Sequence, residues 1–527
     1  MQAMKTTTPH QVRRHWIEGR EIVLIDVREE GPYSTSHPLF AVSIPLSELE
    51  ARLPALIPRN SAPIVVYDSG EGYVARAVPR IQTLGYTDVS ILRGGLAAYA
   101  REGEVYRDVN VPSKAFGELV EAIRHTPSLP ARDVKHILDT REDVVVVDAR
   151  RFEEFHTMSI PRGRSCPGGE LAYRIREAAP SPETLVIVNC AGRTRSIIGT
   201  QSLINAGVPN RVLALRNGTI GWTLEGLDVE RGKTERLSTP SRQARDEARE
   251  SVERWAKHVG VQVINAETLS QFRQEAHTRT LYTLDVRDPE EYQHGHPAGF
   301  LSAPGGQLVQ ATDEWIGVRG ARIVLYDDDG IRALMTATWL QQMGWNVYVL
   351  EQNTTLPETV SSAPGPIFHP DLPHSTISAT ELKNWPDATI IDLARSPAYT
   401  KGHIPGAYFA SGPELARDLQ KAPGSGPIIL TSPDGIIAAA NLPFAKQATS
   451  RPVKCLSEGT AGWTALGYPL ETETRWLSEP IDVYKRPYEG TNNARESMQS
   501  YIDWELQLVA QLANDGVAGF HVVRAAE

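Results

Sequence analysis

Cysteine is scarce in this chain. Its 527 residues include three, Cys166, Cys190 and Cys455, and no two of them form a Cys-x-x-Cys pair. A disulfide framework and a zinc ribbon both need more thiols at closer spacing, so neither is expected, and a reducing cytoplasm fits best. Long apolar runs are missing too, which excludes a bilayer-spanning helix. Met1 to His10 is polar and has no apolar core of a secretory signal. Basic excess is absent: the net charge of −10 argues against a general nucleic-acid binder and against a polybasic membrane tether. What remains is the composition of an ordinary globular protein, 41% apolar and 22% charged, with room for about three or four domains.

One thiol stands at an informative place. Val186-Ile187-Val188-Asn189-Cys190 is an apolar run that ends in cysteine. Ala191 to Ser196 then read as a loop carrying a glycine and two arginines, and Ile197 to Ala206 as a helix. A strand that turns straight into a helix leaves backbone N–H groups facing the turn. A cysteine there sits in positive potential, so its thiolate is expected to be favoured. Arg193 and Arg195 add full charges. The stretch suits a nucleophilic sulfur acting on an anionic substrate.

The rest of the chain repeats the setting of that loop. An apolar run ending in aspartate occurs four times, at Val23–Asp26, Val145–Asp148, Tyr282–Asp285 and Thr389–Asp392. Each is followed by a second run, Ile64–Asp68, Ile187–Cys190, Ile323–Asp327 and Ile428–Ser432, then by an amphipathic helix pattern and a closing strand. Strands apolar throughout and alternating with helices imply parallel sheets covered on both faces, an α/β fold of four tandem modules. The units also fall into two pairs. Units two and four are each followed by a similar tail, with Ala248-Arg249-Glu250-Ser251 and Trp255 in one and Ala494-Arg495-Glu496-Ser497 and Trp504 in the other. Arg242 to His258 and Asn492 to Asn514 read as amphipathic helices that brace their blocks. Pro112 to Leu129 and Leu356 to Pro373 read as linkers.

The order of parts within a unit resembles the rhodanese family of sulfurtransferases. Asp-x-Arg stands at Asp26-Val27-Arg28, Asp148-Ala149-Arg150 and Asp285-Val286-Arg287. A Glu-Glu-Tyr/Phe turn follows at Glu153–Phe155 and Glu290–Tyr292, and Gly-His-Ile-Pro-Gly-Ala is intact at Gly402–Ala407. After the cysteine loop comes Leu-x-x-Gly-x-x-x-Trp, at Leu215–Trp222 and Leu456–Trp463. The expected modules span residues 1–110, 126–235, 260–355 and 374–478, with bracing helices at 240–258 and 492–515. Only the second has cysteine at the catalytic place; Asp68, Asp327 and Ser432 stand there in the others. Aspartate cannot carry a sulfane sulfur and serine is a poor acceptor without a base, so three modules are expected to be silent. The fourth lacks the Asp-x-Arg arginine. In the second, Ser159 stands where the family often has histidine.

The resemblance implies a double displacement. The Cys190 thiolate takes the outer sulfur of thiosulfate or another anionic sulfane donor, and the resulting persulfide passes it to cyanide or a thiol. The donor's charge calls for Arg193, Arg195 and the amides of Ala191, Gly192, Thr194 and Ser196. No metal or organic cofactor is required. Arg150 is expected to pair with a structural Asp148, with a reach toward the loop as the alternative. Glutathione persulfide and mercaptopyruvate suit the same charges as thiosulfate, and oligomeric state is left open by the sequence. A phosphatase or arsenate reductase is the poorer reading, because Arg195 lies five positions after Cys190 and the six-position arginine of the related phosphatases is here Ser196. A sulfur carrier docking a protein acceptor is the other alternative. Cys166 is expected to fill a turn, with a sulfur relay as its minority reading. Cys455 is expected in the core, and Trp222 and Trp463 as packing caps. Pro304-Gly305-Gly306 repeats Pro167-Gly168-Gly169, which points to a backbone role for the element.

Overall fold

The computed structural model describes residues 4–352, 359–361 and 375–524. Four five-stranded sheets are present, and every pairing within them is parallel. All four share one strand order. In the second module it runs Ser128–Leu129, Val212–Leu215, Leu185–Asn189, Val144–Asp148, Gly163–Ser165. The strand that leads into Cys190 is therefore central, in register through Val146 with Ile187 and Asp148 with Asn189. Alternate residues feed opposite faces. Val145, Val147, Val186 and Val188 pack on one side with Leu203. Val144, Val146, Leu185 and Ile187 pack on the other with Trp222. Burying both faces is why these strands are apolar at every position.

The chain divides into two compact units. One holds the first module, apart from His10–Ile22, and the fourth; the other holds His10–Ile22, the second and third modules and the C-terminal residues from Lys485. In the second unit we label α1 Val111–Arg124, α2 Leu171–Ala178, α3 Thr194–Asn205, α4 Gly218–Leu224, α5 Arg242–Val259, α6 Arg332–Gln342, α7 Arg495–Glu505 and α8 Leu508–Asp515. Modules two and three meet at their Pro-Gly-Gly turns. A Cβ on Gly306 would stand 2.6 Å from the Gly169 amide nitrogen, so only glycine allows this approach. In the first unit Ser47 and Gly412 meet in the same manner, the Ser47 Cβ lying 2.5 Å from where a Gly412 Cβ would be.

Two expectations need correction. Pro112 to Leu129 is not a linker through most of its length: Val111–Arg124 is a helix, and Ala115, Phe116 and Val120 are fully buried. Pro112 lies in its first turn, where no intrahelical N–H is required. The bracing helices also differ from the expected pattern. α5 packs on α2 of module two and α6 of module three. The second tail is two helices, α7 and α8, lying on α1 and α4 of module two. Matched tails reveal duplication, but not which neighbour each apolar face will meet. Leu356 to Pro373 falls outside the described residues apart from 359–361, where Thr359–Val360 pairs with His296–Pro297. Among the described residues no helix is long and apolar enough to cross a membrane.

Candidate active site

Cys190 follows the central strand directly, and α3 begins at Thr194 rather than Ile197. The loop is therefore three residues, Ala191 to Arg193, and Arg195 and Ser196 belong to the first turn of the helix. The loop is tied down from α4: the Thr219 amide donates to the Cys190 carbonyl at 2.8 Å and the Ile220 amide to Ala191 at 2.9 Å. The thiol donates to Ser196 Oγ at 3.4 Å, and that hydroxyl donates onward to the Arg193 carbonyl at 2.9 Å.

Cys190 is 1% exposed. Burial pushes its thiol up, while Arg195 and the Ser196 hydroxyl and amide pull it back without fully offsetting the loss of water. Burial thus works against the expected thiolate, since the same closure that focuses the loop dipoles also removes solvent. The sulfur is nonetheless surrounded by donors rather than by hydrocarbon alone.

The two arginines divide. Arg195 grips Glu154 through two parallel bonds of 2.7 and 2.8 Å, and it is the leading charge acting on Cys190. Burial alone would raise Glu154, but Arg195, Arg150 and Arg151 hold its carboxyl down at about 2. Arg193, expected to contact substrate, is held in ion pairs. Its guanidinium is spent on Glu118 at 2.7 and 2.8 Å, on Glu121, and on Asn217 at 3.0 Å. Arg150 is bound at 2.9 and 2.7 Å to Asp148 and also donates to the Met158 carbonyl. Asp148 in turn accepts from Asn189 Nδ2 at 2.8 Å, so this pair fixes the strand end beside the cysteine. Thr194 is buried at the head of α3, and the described residues hold no cluster of three metal-ligating side chains.

The modules without a cysteine at this place act as internal controls. Asp68 Oδ2 accepts from the Val74 amide, Asp327 Oδ2 from Ala333 and Ser432 Oγ from Ala438, at 3.1, 2.9 and 3.3 Å. Each acceptor lies six residues before its donor, as Cys190 lies six before Ser196. Asp327 accepts also from Gly330 and Ile331. The loop is thus an amide cradle, and in two modules a resident carboxylate fills it. Module three likewise repeats the arginine pair, with Arg332 Nη2 on Glu291 at 3.1 Å. The Arg195–Glu154 link is therefore a property of the fold as much as of the cysteine site. The histidines belong to packing. His37, His296 and His403 stack on Tyr33, Tyr292 and Tyr399 at centroid distances of 4.0, 3.6 and 3.9 Å. Phe155 and Ser159 take those two places in module two.

A family model described as a rhodanese-like domain matches residues 8–102, 130–225, 266–353 and 378–466. The chain belongs to the rhodanese family. Its fold is matched by the crystal structure of a thiosulfate sulfurtransferase from Pseudomonas aeruginosa, 48% identical, with a TM-score of 0.95 and coverage of 99% of this chain and 100% of that one. The uncharacterized protein YqhL of Bacillus subtilis is 34% identical over 92 residues, which is 18% of this chain and 69% of that protein. The other thiols of this rhodanese chain are buried. Cys166 sits fully buried among Val147, Leu171 and Val188, its thiol pushed far up by burial, which leaves no support for a relay. Burial pushes Cys455 to about 12. The sequence reading missed Glu118, Glu154, Tyr501 and Glu505. Glu154 had a signal, its place in the Glu-Glu-Phe turn; the others reach the rhodanese loop from helices remote in the chain.

Proposed function

We propose that this protein is a sulfurtransferase that moves a sulfane sulfur from thiosulfate, or a related anionic donor, to cyanide or a thiol through a persulfide on Cys190. The similarity to the Pseudomonas aeruginosa enzyme over almost the whole chain supports the activity. The observation that carries the site is the amide cradle. Its position is filled by a carboxylate in modules one and three and by a thiol in module two.

The chemistry follows from that position. Loss of the thiol proton leaves a thiolate at the start of α3, where the helix N-terminus and Arg195 stabilise negative charge. The thiolate attacks the outer sulfur of thiosulfate; the S–S bond breaks and sulfite leaves with its electron pair. The Cys190 persulfide then occupies the amide-lined position that the Asp327 carboxyl occupies in module three, and a second nucleophile removes its terminal sulfur. The Ser196 hydroxyl, which accepts from the thiol at rest, turns to donate to the thiolate. With Arg193 and Arg195 both held in ion pairs, the loop amides meet the donor directly and the arginines contribute positive field.

Steady-state kinetics with thiosulfate and cyanide test this reading. A double displacement gives parallel double-reciprocal lines, and Cys190→Ser reduces turnover by at least about a thousandfold. Intersecting lines, or activity retained in Cys190→Ser, would reject it.

A further inference from the structure

The cysteine loop is roofed by a helix from the far end of the chain. A Cβ on Gly192 would lie 3.2 Å from Tyr501 and 3.3 Å from Glu505 Oε2, both on α7. Glu505 is fully buried. Its Oε1 accepts from the Tyr501 hydroxyl at 2.8 Å, whereas Oε2, the oxygen facing the loop, has no hydrogen-bond partner. A buried carboxyl oxygen left unpaired beside a reactive loop calls for a reason.

The duplicated tail supplies a contrast. α5 lies over the silent loop of module three, where Arg249 donates to the Asp329 carbonyl at 2.8 Å. Asp329 stands two residues after Asp327, as Gly192 stands two after Cys190. Aligning the tails on their shared Ala-Arg-Glu-Ser places Val259 opposite Glu505. The first tail therefore has no carboxyl at the sequence position of Glu505.

We propose that Glu505 is a specificity-determining residue of the Cys190 centre, whose charge state decides whether a dianionic sulfur donor can enter over Gly192. This rests on the reading of Cys190 given above. Glu505 is faced by Glu118 and Lys114 of α1, by Arg193 of the loop and by Tyr501 of its own helix. Glu121 completes the Arg193 cluster. Glu118 and Glu121 balance Arg193 and Lys114, and Arg195 is balanced by Glu154. The sign of the pocket is therefore set by Glu505. Burial first, and Glu118 second, push its carboxyl up to about 8, against Lys114, Tyr501 and Arg193. Below that pH the group is neutral and offers an O–H toward the loop; above it a buried negative charge opposes the donor. No bond is made or broken at Glu505, and its proton stays in place during transfer.

Thiosulfate binding to the full-length Cys190→Ser chain, followed by tryptophan fluorescence, tests this without interference from thiol titration. The dissociation constant is expected to rise roughly tenfold between about pH 7 and pH 9 as one like charge appears beside the site. Adding Glu505→Gln should flatten that profile to within about twofold. Adding Tyr501→Phe, which removes a bond favouring the carboxylate, should move the rise to higher pH. The idea is overturned by a flat profile in Cys190→Ser, or by an unchanged slope in a folded Glu505→Gln chain. Persulfide formation on wild-type Cys190 together with a flat profile removes this inference alone; no thiosulfate binding and no persulfide removes the reading beneath it as well.

Discussion

At the residue scale, the reactivity of Cys190 is a balance between lost water and gathered dipoles. Glu154 shares the charge of Arg195, so it tempers the field that Arg195 places on the sulfur. Glu154→Gln should make the thiol more acidic. The rate of single-turnover persulfide formation, measured against pH, should then begin its alkaline climb at lower pH than in wild type; an unmoved curve would mean that the ion pair does not govern the thiol. Arg150→Ala should be damaging for another reason. It strands the buried Asp148 carboxylate, at a cost of about 3–5 kcal/mol, which thermal unfolding will show as a marked fall in Tm. The sequence displayed Cys190, the loop glycine and both arginines, but not their division of labour. Arg193 and Arg195 are alike as letters. One meets Glu118 and Glu121 from α1, a helix whose Pro112 and Ser113 had the look of a linker, and this is why its commitment was invisible.

At the element scale, the cradle at the start of α3 is the recurring device. Four runs of sequence build it, and what fills it varies from carboxylate to hydroxyl to thiol. Cys190→Asp should be inactive yet at least as stable as Cys190→Ala, because the carboxylate can take the amide positions that Asp68 and Asp327 take. A Tm several degrees below that of Cys190→Ala would contradict the equivalence of the four loops. Strands were legible because each is apolar on both faces, and helix starts less so. α3 begins three residues before its apolar pattern does, since Thr194-Arg195-Ser196 is polar.

At the scale of the whole molecule, module three supports the cysteine site by packing. Module three backs α3 directly: Trp339 Nε1 donates to Ser202 Oγ at 2.8 Å, and a narrow cavity of about 30 Å³ separates Thr194 and Arg195 from Gly305, Met335 and Thr336. The approach depends on two glycine turns in contact, so Gly306→Val should force backbone apart and cost about 1–3 kcal/mol, read by thermal unfolding, with turnover falling through displacement of α3. Unchanged Tm and turnover would show that module three is dispensable to the site. Fourfold repetition was plain in the sequence. Which modules share a compact unit was not, because covering a neighbour's helix face leaves no periodic trace: the first joins the fourth, and the second joins the third.

The central claim is that one sulfur, held in a cradle built for an anion, carries the transferred atom. Intact mass measurement after incubation with thiosulfate tests it most directly. The account predicts a gain of one sulfur atom on the wild-type chain, removed by cyanide and absent from Cys190→Ser; a wild-type chain that gains no mass, or a Cys190→Ser chain that gains the same, would contradict it.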